Sequence, residues 1–307
     1  MQEQRSQRAL ALVGPGRAGL TVAAAATHHG FRVSAIAGRN PQAASTVHAG
    51  RLLNAPATDV EHVARNADLV VLATPDSALE SAAARLAASL EPGALVVHLA
   101  GALGCEVFDS LVRAQPATRV GAIHPLRSLQ RPESAEDAVA QLRGAACAVG
   151  GDSQVAVLAA ALGMRPFSVD EDRRAAYHAT AAVASNHLVA LAGQVERLAA
   201  QAGVPVEVFL GLMRGTLDNV GLLGAAGALT GPVARGDVAT VAAQLAAIPA
   251  GEQPAYRALA REALRLVEQE SPALAALLGS VTDVGQTAGA PGSGSAGAPV
   301  TAGQVTE

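Results

Sequence analysis

The sequence predicts an α/β fold, with a doubly wound and mostly parallel sheet followed by an all-helical C-terminal domain. Short apolar runs alternate with helical patterns through the first half of the chain, as strands and crossover helices do in a parallel sheet. A glycine-rich turn joins the first apolar run to the first helical pattern. After residue 169 the helical period continues without further strand patterns.

The elements follow from these patterns in order. The predicted strands cover residues 9–13, 33–37, 69–73, 94–99, 119–123, 145–149 and 166–169. In the first half we expect Asp76 to cap a helix that runs to about Ser89, and another helix to lie near 106–113. The later helices are predicted over about 171–200, 206–228, 238–248 and 254–270. We therefore expect domains at 1–150 and 151–280, where the first strand after residue 150 can still belong to the sheet. The segment 281–307 is rich in Gly, Ala, Ser and Pro, and it is predicted to be a disordered tail.

The most informative segment is the turn after the first predicted strand. It contains Gly14, Pro15, Gly16, Arg17, Ala18 and Gly19, which is a GxGxxG pattern between a strand and a helix. In that context the first glycine permits the tight turn, and the second lets the backbone approach a pyrophosphate. The third lets the helix pack close to the strand. The pattern predicts a Rossmann-type dinucleotide site; the alternative is a glycine-rich structural turn.

The end of the second predicted strand favours NADP over NAD. An NAD site usually has Asp or Glu at this place to bind the ribose hydroxyls. Here the strand is followed by Gly38, Arg39 and Asn40, with no acidic residue. A guanidinium can form a two-point contact with a 2′-phosphate. The alternative for Arg39 is an exposed loop cation.

Composition limits the function classes. The chain has 307 residues, a net charge of −4 and only 2% aromatic residues, so neither a basic surface nor stacking side chains suggest nucleic acid binding. No predicted apolar segment is long enough for a membrane span, the two cysteines lack metal-ligand spacing, and no metal is expected. We expect a cytoplasmic protein. All 22 basic residues are arginines, which excludes a lysine acid or Schiff base.

Candidate active-site residues follow the ends of the predicted strands, where ligands bind in open α/β sheets. Thr74, Pro75 and Asp76 are expected at the cofactor, and Gly101 is expected to let the backbone approach the cofactor or substrate. His124 lies at a strand end before a proline. It either contacts the substrate as a proton donor or orders the loop by hydrogen bonding.

The predicted helix after residue 171 supplies further polar groups. Tyr177 and His178 precede Ser185 and Asn186 by two turns, so His178, Ser185 and Asn186 are expected near one face. These groups either line a cleft or satisfy one another. Arg235 follows the next long helix, and it either pairs with Asp237 or binds a substrate carboxylate.

The motifs GPGRAG, ATPD, HLAGALG, GAIHPLRS, YHATAAVASNHLVAL and LTGPVARGD carry a resemblance. The N-terminal half resembles the NADP-binding domain shared by pyrroline-carboxylate reductases, prephenate dehydrogenases and deazaflavin-dependent NADP reductases. The chain to about residue 280 is more similar to a Rossmann-like bacterial family whose second domain has no known function. The resemblance implies an NADP-linked oxidoreductase with a dimerising helical domain. The helical-domain lysine of hydroxyacid dehydrogenases and ketopantoate reductases is absent here, while Asn186 would match their substrate-orienting asparagine.

Taken together, the sequence predicts an NADP-dependent oxidoreductase that transfers a hydride between NADP(H) and a small polar substrate, an oxo acid or an imine. The predicted catalytic residues are His178, Asn186, His124, Ser185 and Arg235, with a histidine as proton donor. A homodimer through the helical domain is expected, because its helices are apolar on more than one face. The alternatives are a non-catalytic NADP-binding sensor or scaffold, and a deazaflavin-dependent NADP reductase.

Overall fold

A computed structural model describes residues 8–267 and 271–279 of the chain. These residues form two compact units, and the division between them falls after Val189. The domain boundary expected near residue 150 stays a prediction. The tail predicted over 281–307 lies outside the described residues.

The first unit contains an eight-stranded sheet. Its strands are β1 (Ala9–Val13), β2 (Arg32–Ala37), β3 (Ala57–Thr58), β4 (Leu69–Leu72), β5 (Leu95–His98), β6 (Arg119–Pro125), β7 (Ala146–Gly151) and β8 (Arg165–Ser168). The strand order is β3-β2-β1-β4-β5-β6-β7-β8, and only β6 and β7 pair antiparallel. The order reverses between β1 and β4, where ligands bind in doubly wound folds. The predicted fold class is confirmed.

Helices cover both faces of the sheet. They are α1 (Arg17–His28), α2 (Ala44–Leu53), α3 (Val60–Val63), α4 (Asp76–Leu86), α5 (Asp109–Ala114), α6 (Ala135–Leu142), α7 (Gln154–Ala161) and α8 (Arg174–Ala182). Two short 3₁₀ segments, Cys105–Phe108 and Glu171–Arg173, precede α5 and α8, and a π-helical segment, Val183–His187, follows α8.

Alternation along β1 shows how the core is divided. Leu10 and Leu12 belong to a core with side chains of α1, α6 and α7, whereas Ala11 and Val13 belong to a second core with α3, α4 and α5. All five residues of β1 are buried, as the apolar run predicts for a strand covered on both faces. Because β1 is packed between two layers, the turn that follows it has a fixed position.

Two local expectations were wrong. Asp76 is the first residue of α4 and not its cap; the cap position is occupied by Pro75, and no side chain bonds the free amides there. Proline fixes its own backbone in a conformation that is compatible with a helix start, so the helix begins without the carboxylate. The same helix ends at Leu86, three residues before the predicted end.

The second unit is helical. It contains nearly all of α9 (Leu188–Ala202), and then α10 (Val206–Ala228), α11 (Val238–Ala247), α12 (Gln253–Leu264) and α13 (Pro272–Leu278). A small core joins α11, α12 and α13 through Val241, Leu245, Ala260, Leu274 and Leu278. The single helix predicted over 254–270 was wrong at its end, since α12 stops at Leu264 and a separate helix follows. Within the described residues, no helix is both long and apolar enough to cross a membrane.

Candidate functional site

A cavity of about 870 Å³ opens at the carboxyl ends of β1, β2, β4 and β6, entirely within the first unit. Its size is typical of a small-molecule or cofactor site. The predicted residues that line it are Gly14, Pro15, Gly16, Arg17, Ala18, Gly19, Arg39, Thr74, Pro75, His124, Ser185 and Asn186. Asp76, His178 and Arg235 are not part of the lining.

The three glycines of the turn have different surroundings. Gly14 has a φ of +89°, and a Cβ there would lie 2.5 Å from the carbonyl oxygen of Ala73. A Cβ on Gly19 would lie 2.5 Å from the carbonyl oxygen of Gly14. At Gly16, in contrast, no atom from elsewhere in the described part of the structure lies within 4 Å of the Cβ position. The first glycine therefore makes the turn, the third packs helix against strand, and the second leaves open space at the start of α1.

Arginine side chains dominate the charge of the cavity. Arg17, Arg39, Arg85 and Arg127 line it, and none of the lining residues is acidic. Arg85 is neutralised by Glu61, with 2.7 Å between Nε and Oε1. The other three form no ion pair with any residue that the structure describes. With the amino-terminal end of α1, whose free amides favour negative charge, these side chains make the cavity suited to an anion.

Thr74 and Asp76 differ in their placement. The hydroxyl oxygen of Thr74 is enclosed and has no hydrogen-bond partner within the described residues. An enclosed polar group without a partner costs free energy, so this hydroxyl is a feature that a bound group could satisfy. The carboxylate of Asp76 lies on the exposed first turn of α4, outside the lining.

At the end of β6, His124 forms a cluster with side chains from α8. The Nδ1 atom of His124 lies 2.7 Å from the hydroxyl oxygen of Tyr177, and its ring centroid lies 5.7 Å from that of His178. Gly101 completes this histidine cluster, because a Cβ there would lie 2.6 Å from Cδ2 of His178 and 2.8 Å from Cε1 of His124. The glycine thus makes room for two imidazoles, a contact that differs from the expected approach to a cofactor or substrate.

The cluster determines the charge of His124. Burial, and then the nearby His178 and Arg174 side chains, lower the pKa of His124 from its ordinary value to about 4. The ring is therefore neutral at pH 7. The sequence-based reason for choosing a histidine, a pKa near neutrality, does not hold for His124.

Another histidine at the carboxyl edge of the sheet is structural. His98 is buried at the end of β5, where Nδ1 accepts a hydrogen bond from the amide of Ala100 at 3.1 Å. The Nε2 atom lies 2.9 Å from the carbonyl oxygen of Gly104 and donates to it. Burial also lowers the pKa of His98. No local sequence pattern had distinguished His98 as a structural residue.

Sequence reasoning also missed Arg174. Its side chain is 1% exposed, and none of its three guanidinium nitrogens forms a hydrogen bond with a described residue. The nearest carboxylate belongs to Glu171, with 3.3 Å between Nε and Oε2. Arg174 precedes Tyr177 and His178 by three and four residues on α8, so the three side chains share one helix face. A single arginine at a helix start gives no indication that it is buried.

Ser185 and Asn186 reach the cavity from a π-helical segment, which was not predicted. Segments of this kind are often found at functional sites. His178, Ser185 and Asn186 were expected near one helix face. In the structure Ser185 and Asn186 line the cavity, whereas His178 lies outside the lining and packs against His124.

Arg235 lies in the second unit, in the loop before α11. Asp237 caps α11 by accepting a hydrogen bond from the amide of Thr240 at 3.0 Å. Bonds from Thr240 lower the pKa of Asp237. Among the described residues Arg235 forms no ion pair with Asp237, so the predicted alternative of a pair is not what the structure shows.

The comparisons with known proteins agree with this architecture. Residues 2–125 match the family model of a Rossmann-like domain. Residues 147–263 match a family described as a domain of unknown function, DUF2520. The N-terminal part of the chain therefore carries a Rossmann-like domain, and the C-terminal part carries the DUF2520 domain. A search of the curated proteins finds no match.

Solved structures show the same fold. A Bacteroides fragilis protein, provisionally named an NADP oxidoreductase, is 21% identical with a TM-score of 0.70, over 84% of this chain and 98% of that one. A Thermotoga maritima protein is 23% identical with a TM-score of 0.61, over 84% and 98%. The pyrroline carboxylate reductase of Plasmodium falciparum, solved with NADP bound, is 11% identical with a TM-score of 0.53, over 85% and 98%. At these identities the similarity establishes the fold.

Proposed function

We propose that the protein is an NADP-dependent oxidoreductase acting on a small polar substrate. The observation that carries the proposal is one cavity that has an arginine-lined glycine turn and also His124 in its lining. The names of similar structures, among them a reductase solved with NADP, support the same class. Bound NADPH would supply a hydride to a carbonyl or imine carbon.

The glycine turn fits the dinucleotide. The open space beside Gly16 and the free amides of α1 would receive the pyrophosphate, with Arg17 next to them. Arg39 would bind the 2′-phosphate, since it follows β2 and has no acidic neighbour in the lining. Thr74 and Pro75 would border the rest of the cofactor.

The remaining lining residues would orient the substrate. His124 would donate a hydrogen bond to the substrate oxygen or nitrogen, where negative charge develops during reduction. Ser185 and Asn186 would hold neighbouring polar groups of the substrate. His178, which the sequence favoured as proton donor, would support the ring of His124 from behind.

Cofactor titrations test the proposal. The protein should bind NADPH more tightly than NADH, and Arg39→Ala should weaken NADPH binding about tenfold or more, because a charge-assisted contact is worth roughly 1.5–3 kcal/mol. NADH binding should hardly change. Arg51→Ala, an exposed arginine on α2 outside the lining, is the control and should change neither affinity. Equal losses for both cofactors, or no loss, would contradict the assignment of Arg39.

A non-catalytic NADP-binding sensor or scaffold is the second candidate function. The absence of lysine favours a non-catalytic role. Related dehydrogenases use a lysine, and no other side chain in this chain supplies the same amine group. A screen for hydride transfer from NADPH to oxo acids and cyclic imines distinguishes the two. Binding of NADPH without turnover of any of these substrates would favour the sensor.

We also propose that two copies associate through the helical unit. None of the 23 residues of α10 is buried, and large apolar side chains on it are exposed, including Leu212, Leu222 and Leu223. Helices of this kind normally bury their apolar faces. Sedimentation at micromolar concentration should give the mass of a dimer, and Leu222→Asp should shift it toward the monomer. A monomer mass for the unmodified protein would contradict the proposal.

A further inference from the structure

The hydrogen bond between Tyr177 and His124 can be formed in two ways. Either the phenolic hydroxyl donates to Nδ1, or Nδ1–H donates to the phenolic oxygen. The atoms lie 2.7 Å apart, and neither side chain has another hydrogen-bond partner within the described residues. A neutral imidazole carries one N–H group, so the direction of this bond decides which ring nitrogen is the donor.

Satisfying the hydroxyl proton favours the first arrangement. When the hydroxyl donates to Nδ1, the tyrosine proton has its acceptor and the ring proton is on Nε2, where the ring lines the cavity and water or a ligand can accept it. In the reverse arrangement the tyrosine proton has no acceptor among the described residues, and Tyr177, unlike His124, does not line the cavity. An unsatisfied donor on a half-buried side chain costs free energy. The bond should therefore run from tyrosine to histidine.

Packing holds both rings in this geometry. The rings of Tyr177 and His124 meet edge to face, with their centroids 5.6 Å apart. Phe167 also packs against Tyr177, with their ring centroids 6.0 Å apart, and His178 and Gly101 restrict the ring of His124. Rotation of the imidazole by 180° would bring a carbon atom to the tyrosine oxygen, so the hydrogen bond would be lost.

The ionisable groups around the cluster keep the ring neutral. Burial lowers the pKa of His124 most; the nearby His178, Arg174 and His98 side chains lower it further, whereas Asp76 raises it. The groups concerned are His178 and Arg174 on α8, His98 at the end of β5 and Asp76 on α4. The phenol of Tyr177 also remains protonated, because burial raises its pKa.

We propose that Tyr177 is a positioning residue that fixes His124 as the Nε2–H tautomer, so that His124 offers the substrate a hydrogen-bond donor. The proposal rests on the proposed function for its substrate, but not for the tautomer itself. It narrows the substrate class, because Nε2–H can meet only an acceptor atom. A carbonyl oxygen or an imine nitrogen fits this requirement. His124 in this state cannot accept a proton at Nε2 from an alcohol.

The tautomer can be measured without a substrate. Long-range ¹H–¹⁵N spectra of the full chain labelled with ¹⁵N-histidine distinguish protonated from unprotonated ring nitrogens. The signals of His124 are identified among the eight histidines as those missing in His124→Gln. At pH 7 we expect a protonated Nε2 and an unprotonated Nδ1. An Nδ1–H tautomer in the unmodified protein would overturn the proposal, whether or not any variant folds.

The matched variants are Tyr177→Phe and Tyr256→Phe, which change the only two tyrosines of the chain. Tyr256 bonds Gln244 in the second unit. Tyr177→Phe should give a mixture of tautomers, and the titration midpoint of His124 should rise by roughly half a pH unit or more. Tyr256→Phe should leave both observations unchanged. Circular dichroism checks that each variant is folded. An unchanged tautomer in folded Tyr177→Phe would refute the role of tyrosine.

The outcome is separable from that of the proposed function. Tyr177 does not line the cavity, so Tyr177→Phe should leave NADPH affinity within about twofold. A fixed tautomer in a protein that binds no NADPH would support the positioning role and reject the proposed function. NADPH binding with an Nδ1–H tautomer would support the proposed cofactor site and reject the positioning role of Tyr177.

Discussion

The glycine turn and the histidine cluster contribute to one cavity, but they are built in different ways. The glycine turn comes from six consecutive residues, and its shape follows from backbone sterics at Gly14, Gly16 and Gly19. The histidine cluster combines side chains that are far apart in the sequence, at the ends of β5 and β6 and on α8. The first region can be recognised from a local sequence pattern, whereas the second requires the complete sheet topology.

This difference explains how much the sequence could predict. The three glycine positions were predictable because the strand–turn–helix pattern is contained in a short segment, although Gly14 and Gly19 also lie close to Ala73, which follows β4. The ends of the seven predicted strands were also located to within a few residues, so His124 was recognised as a candidate at the edge of the sheet, whereas the two-residue β3 was not predicted. Apolar runs and turns suffice for these conclusions.

The rest depends on contacts that no local pattern contains. The placement of Gly101 against two imidazoles requires β5 and α8 to meet, and Arg174 becomes buried only in the folded unit. The π-helical segment changed which polar residues face the cavity, although the α-helical period had placed His178 with Ser185. The features that depend on the local strand–turn–helix pattern were therefore predictable, whereas the π-helical segment and the long-range side-chain contacts were not.

The largest expected effect separates two glycines of the same turn. Gly14→Ala requires a positive φ and places Cβ against the carbonyl of Ala73, so it should lower the free energy of unfolding by roughly 3–5 kcal/mol. Gly16→Ala has free space and should leave stability within about 0.5 kcal/mol. It should nevertheless weaken NADPH binding tenfold or more, since its methyl group would occupy the space for the pyrophosphate.

Urea unfolding and NADPH titration of both variants provide the measurements. A Gly16→Ala protein that binds NADPH normally would show that the open space beside Gly16 is not used. A Gly14→Ala protein of normal stability would show that the turn relaxes, and would remove the distinction between the two glycines.

A smaller effect is expected from the histidine cluster, which should make the stability of the protein depend on pH. The pKa of His124 is about 4 in the folded protein and about 6.5 when unfolded, so the unfolded chain binds more protons between these values. Stability should fall as the pH decreases from about 6.5 to 4, by on the order of 3 kcal/mol at most, and this contribution should be constant outside that range.

Urea unfolding at several pH values measures this dependence. His124→Gln should reduce the slope of unfolding free energy against pH between pH 6.5 and 4. Part of the slope should remain in this variant, because the pKa of the buried His98 is also lowered. His48→Gln, on the exposed surface of α2, serves as the control and should leave the slope as it is. If His124→Gln and the unmodified protein show the same slope, the ring of His124 is not held neutral by its surroundings.

The smallest expected effect concerns the side chain of Thr74, which lies next to the glycine turn. Its hydroxyl is enclosed without a partner, so Thr74→Val should raise the free energy of unfolding by about 1 kcal/mol in the absence of cofactor. The same change should weaken NADPH binding by about fivefold, because rotation about χ1 would let the hydroxyl bond the bound cofactor. Thr74→Ser retains the hydroxyl and should keep the NADPH affinity. Urea unfolding of Thr74→Val should therefore show a higher stability, while titration should show a weaker NADPH affinity. If Thr74→Val binds NADPH as well as the unmodified protein, the side chains at this turn contribute little beyond Arg17 and Arg39, and the backbone alone shapes that region of the cavity.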